Sequence, residues 1–240
     1  MGELIPLFPL GTPLFPGVVL PLQIFEPRYR RLVRDLTAIP GSSDRRCFGV
    51  VAIRQGWEVE HVAPAEALYD VGCTARLHTV RPQDDGGFRI VSVGGDRFRL
   101  LDVVVGDDPP YLQGEVEWLA DEEAAEEAAA GCETTVRARS VRDLFLEYVA
   151  EVAGLGNGRD HVEVATRLEA IADDPAALSW LVASAALLTA EDRQELLAQS
   201  ATRRRLRTES GLLRRELTLL REIGAVPVPL HQFATPMTVN

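Results

Sequence analysis

Four histidines (His61, His78, His161 and His231) and three cysteines (Cys47, Cys73 and Cys132) are the residues best suited to metal or nucleophilic chemistry in this 240-residue chain. None stands in H-x-x-H, H-E-x-x-H or C-x-x-C spacing, so no local metal motif is present. No serine lies in a G-x-S-x-G elbow. The glycines of Gly154-Leu155-Gly156-Asn157-Gly158 lack the strand and spacing of a dinucleotide fingerprint and read as a loop. All 25 basic residues are arginine. The missing lysine removes the P-loop, Schiff-base chemistry and the Ser–Lys dyad together, because each needs a titratable amine. The 36 carboxylates are abundant, but nothing in their spacing marks an acid–base pair. The sequence thus assigns no catalytic residue, no metal and no cofactor. The cysteines read as small buried residues, and their odd number with the plain Met1-Gly2-Glu3 opening points to a cytoplasmic location.

The formal net charge is -11. It disfavours nucleic acid and anionic membrane, whose attraction comes from cationic surface. No apolar run approaches the ~20 residues of a membrane span. Arg203-Arg204-Arg205 with Arg207 is the one basic cluster. At about 100° per residue its members spread around a helix, and no aromatic interleaves them for base stacking. They read as a solvated helix face that neutralises acidic helices: segment 119–200 has 17 acids against 6 arginines, and 201–240 has 7 arginines against 3 acids.

Two grammars meet near Trp118. Residues 1–118 hold 13 of 19 Gly, 11 of 15 Pro and 11 of 15 aromatics. Turn residues with aromatics predict strands; the Ala/Leu/Glu/Arg text that follows predicts helices. Strands are expected at Leu4–Leu10, Val18–Phe25, Cys47–Arg54, Cys73–Val80, Phe88–Val93, Arg97–Val105 and Gln113–Trp118. Asp84-Asp85-Gly86-Gly87 predicts a hairpin turn. Pro27 suits a helix start, and Tyr29, Leu32, Val33 and Leu36 form its apolar face. An antiparallel, closed or half-closed barrel is the expected form. Later helices are expected to about Val152 with a break at Gly131, at His161–Ala172, after Asp174-Pro175, after Thr189, and over about Thr202–Ile223. The expected organisation is α+β: 1–118 a β-barrel, 119–226 a helical bundle, and 227–240 an extended tail.

The opening is more specific than composition. Ile5-Pro6-Leu7-Phe8-Pro9-Leu10, Leu14-Phe15-Pro16-Gly17 and Leu20-Pro21-Leu22-Gln23-Ile24-Phe25-Glu26-Pro27-Arg28-Tyr29 closely resemble the start of the Lon substrate-binding domain, the amino-terminal domain of an ATP-dependent protease. The resemblance continues through Phe48-Gly49-Val50-Val51, Val71-Gly72-Cys73-Thr74-Ala75, Pro110-Tyr111-Leu112 and Asp192-Arg193-Gln194-Glu195-Leu196-Leu197. It implies a PUA-like barrel followed by helices, and capture of unfolded or tagged polypeptides in concert with a protease or chaperone system. Without lysine or room for ATPase and peptidase modules, the expectation is a stand-alone, non-enzymatic adaptor or chaperone-like binder. RNA binding is the alternative, since PUA-like barrels also serve RNA-modifying systems. Within the motif, Phe8 and Phe25 are expected to fill the barrel. Leu14 and Phe15, bracketed by Pro13 and Pro16, are the candidate polypeptide contacts, with Trp57 a further one.

Overall fold

The computed structural model describes residues 2–40, 45–54, 65–120, 123–155, 166, 168–171 and 173–223. Trp57 and the 227–240 tail lie outside the described residues, as does most of the helix expected at His161–Ala172. The chain divides into two compact units, 1–122 with 197–200, and 123–196 with 201–240.

The first unit is built on six strands: β1 Glu3–Leu10, β2 Val19–Ile24, β3 Cys47–Ala52, β4 Val71–Pro82, β5 Phe88–Val104 and β6 Gln113–Leu119. Their order is β2-β5-β4-β3-β1-β6, and a further β5–β6 pairing closes the last five into a ring. Closure depends on β5. The two strands expected at Phe88–Val93 and Arg97–Val105 are one 17-residue strand. Its first part lies between β2 and β4, and its second between β4 and β6. The expected wholly antiparallel sheet is corrected by one pair: β1 and β3 run parallel, Leu7 opposite Gly49. The connection between them, with β2 and helix α1 (Pro27–Ala38), is long enough for the crossover that parallel strands require.

Ile5, Leu7, Val51, Leu68, Phe98, Leu112 and Val116 form the barrel core. Helix α1 buries Tyr29, Leu32, Val33 and Leu36, the expected face. Phe8 stacks on Tyr29 with ring centroids 4.0 Å apart. At the helix entry, the Arg28 Nε donates to Glu26 Oε2 at 2.8 Å.

In the second unit, α2 (Glu123–Leu155) passes through Gly131 without the expected break. It is followed by α3 (Pro175–Ala185), α4 (Ala190–Ala198) and α5 (Thr202–Ile223). Asp174 caps α3 as its sequence predicts, accepting from the Ala177 amide at 2.9 Å. Before α4, the Asp192 amide donates to the Thr189 hydroxyl at 3.1 Å, and that hydroxyl donates to Asp192 Oδ2 at 2.7 Å. Arg203 pairs with Glu133, and Arg221 with Glu147 and Glu151, so α5 does neutralise α2. Both sets ascend in sequence together, which makes the two helices parallel.

Arg205 corrects the reading of the basic cluster as solvated. It is fully buried, 3.4 Å from the centroid of the Trp180 ring, and donates to the Ser179 and Thr202 hydroxyls. Ser179 in turn donates to buried Glu209 at 2.7 Å.

Candidate functional site

Leu14 and Phe15 are buried, with 4% and 1% of their surface exposed. The expectation that their turn offers apolar surface is therefore corrected: both side chains are core. Local geometry explains this. The Val18 amide donates to the Phe15 carbonyl at 3.2 Å, with Pro16 second in the turn and Gly17 third at φ +74°. This is a type II turn, which favours proline then glycine at those places. The Gly17 amide donates to the Gly94 carbonyl, and the Gly94 amide to the Val18 carbonyl, both at 2.9 Å. A Cβ on Gly94 would run into the Phe15 carbonyl, so the turn and β5 meet without room for a side chain.

The turn delivers the chain into β2, and there the exposed apolar residues appear. Along Val19-Leu20-Pro21-Leu22-Gln23-Ile24 the odd positions face outward and the even ones inward. The outward row continues into Phe25, which is 64% exposed, beside Val19 at 60%. Phe25 was expected to fill the barrel; the parity of the strand places it on the other face.

Among the described residues β2 pairs with β5 alone, so its second edge is open. The Val18–Gly94 hydrogen bond fixes the ladder's alternation: Leu20, Leu22 and Ile24 bond to β5. The backbone groups of Val19 and Gln23 then point to the open edge, where Pro21 presents only a carbonyl. Register places Val91 and Arg89 of β5 beside Pro21 and Gln23, and Thr79 and Arg81 of β4 beyond them. These residues, with Leu22 and Ile90, line a cleft of about 480 Å³.

Among the described residues no group of three or more His, Cys, Asp or Glu is placed to hold a metal. Burial pushes the Cys73 thiol up to about 12, which makes it an inert core residue, and burial raises Cys47 as well. Among the described residues no helix is long and apolar enough to cross a membrane.

The family model for the ATP-dependent protease La (LON) substrate-binding domain matches residues 4–215. The chain belongs to this family. It is 27% identical to Lon protease 1 of Herpetosiphon aurantiacus over 215 residues, 90% of this chain and 24% of that one. It is 31% identical to the Lon protease of Parabacteroides distasonis over 122 residues, 50% of this chain and 14% of that protein. The chain thus spans about a quarter or less of these relatives. The crystal structure of a Lon N-terminal domain protein from Xanthomonas campestris superposes with a TM-score of 0.55 at 26% identity, covering 85% of this chain and 95% of that one. The N-terminal domain of the Mycobacterium avium complex Lon protease also gives 0.55, at 20% identity, covering 88% and 98%, and supports the fold. Both solved structures support the α+β fold with a helical C-terminal part.

Of the candidate-site residues Val19, Pro21, Gln23, Phe25, Arg81 and Arg89, none is marked as a contact by a sequence motif. One signal was available. Gln23 shares its parity with Val19 and Phe25, and a polar side chain in mid-strand marks the solvent face.

Proposed function

We propose that this protein captures non-native polypeptide on the β2 edge of its barrel, as a non-enzymatic adaptor or chaperone-like binder. Residues 1–118 are the recognition module in this reading, and 119–226 a helical support. The observation that carries it is the open β2 edge with Val19, Pro21 and Phe25 exposed along it, in a chain of a substrate-binding family. Backbone groups at an open edge recognise any extended chain, while the apolar row favours segments that folding would hide. Covering ~150 Å² of that row at ~25 cal/mol per Å² gives roughly 4 kcal/mol before ordering costs, suited to weak, reversible capture.

The test is binding of a reduced, permanently unfolded test protein to the full chain and to Val19→Ser/Phe25→Ser. We expect affinity to fall about tenfold in the variant with melting unchanged, because both side chains already face water. Equal binding by both proteins moves the site elsewhere, and no binding by either overturns the reading.

A further inference from the structure

Strand pairing alone does not account for the charge in the cleft beside β2. Arg81 and Arg89 are direct partners across β4 and β5, and like charges placed opposite one another destabilise a ladder. Neither guanidinium has a carboxylate partner among the described residues, in a chain with 36 acids to offer. Both line the same cleft, with Pro21 and Val91 as its apolar side. A carboxylate brought in from outside would turn this repulsion into charge-assisted hydrogen bonding.

Resting on the polypeptide-binding reading above, we propose that the β2 edge takes an extended segment as an added strand, and that an aspartate or glutamate side chain of that segment reaches over Gln23 to Arg89, with Arg81 behind it. An added strand lies two strand spacings from β5, roughly 10 Å. An extended arginine and a glutamate close that gap between them. Pro21 sets the register, since the partner's carbonyl opposite it finds no donor. A second copy of this chain is a poorer occupant. Pairing two β2 strands about a two-fold axis would place a proline in both edges and bring two arginine clefts into one assembly.

Fluorescent ten-residue peptides, acetylated and amidated at their ends, test this. They share one apolar pattern and carry Glu, Gln or Lys at one outward position. Binding to the full chain should favour Glu over Gln by about fivefold at low salt, a preference that added salt reduces. Arg89→Gln should abolish the preference, and Arg89→Glu should transfer it to the Lys peptide, with neither variant melting below the parent, since both relieve the repulsion with Arg81. Equal binding of Glu and Gln peptides, while the unfolded test protein still binds, overturns the acidic anchor and leaves polypeptide capture standing. Failure of every peptide and of the test protein overturns both. Undiminished binding after N-methylation of alternate peptide nitrogens overturns strand addition. Preference for a free terminal carboxylate over the internal Glu, or displacement of the Glu peptide by single-stranded RNA, also overturns the proposal.

Discussion

Two phenylalanines ten residues apart have opposite fates, and the difference is local. Phe15 is pinned by the turn through Pro16 and Gly17, whereas Phe25 follows a strand whose odd positions face water. We expect Phe15→Ala to cost about 3–5 kcal/mol in denaturant titration, as core aromatic truncations do. Both side chains have the same composition and proline-rich surroundings, so residue type alone could not sort them; strand parity could. Arg205 was equally opaque. Its burial is made possible by Trp180, Ser179 and Thr202, which face it from α3 and from its own helix. Beside it, burial pushes the Glu209 carboxyl from 4.5 up to about 8, against the opposing Ser179 hydrogen bond and Arg205 charge. Between those values the native state holds a proton that the unfolded chain has released. Stability from this group is therefore complete below about pH 4.5 and lost as pH rises through 8. Glu209→Gln should flatten that part of the stability profile, measured by chemical denaturation from pH 5 to 9.

Elements with a clear period were legible. Tyr29, Leu32, Val33 and Leu36 fall on one helical face, and α1 buries those four. The hairpin turn at 84–87 is also found, with the Gly86 amide donating to the Gln83 carbonyl at 3.0 Å. The parallel β1–β3 pair and the continuity of β5 were not legible, because partner choice is a long-range property. Gly94-Gly95 reads as a break in any strand pattern, yet here Gly94 lets β5 continue where the Phe15 backbone comes close, and Gly95 where the Thr74 and Arg76 side chains do. Gly94→Ala should therefore separate the Phe15–Val18 turn from β5. We expect faster amide exchange at Leu20 and Leu22 with protection in β3 retained. Uniform loss of protection would mean that the contact supports the whole ring.

At the scale of the molecule, composition was sufficient for the class: Gly, Pro and aromatics crowd the strand-built region, and Ala, Leu, Glu and Arg the helical one. It could not locate the candidate site, which depends on what a strand lacks beside it. The ring has a consequence in time. β1 lies between β3 and β6, and Glu3 opposes Val116, 116 − 3 = 113 residues later. At roughly 5–20 residues per second, a ribosome releases that partner about 6–23 seconds after β1 emerges. For that interval Ile5 and Leu7 have no completed ring to enter. During its own synthesis the chain therefore presents, in β1, the kind of unpaired apolar strand that the β2 edge is proposed to capture.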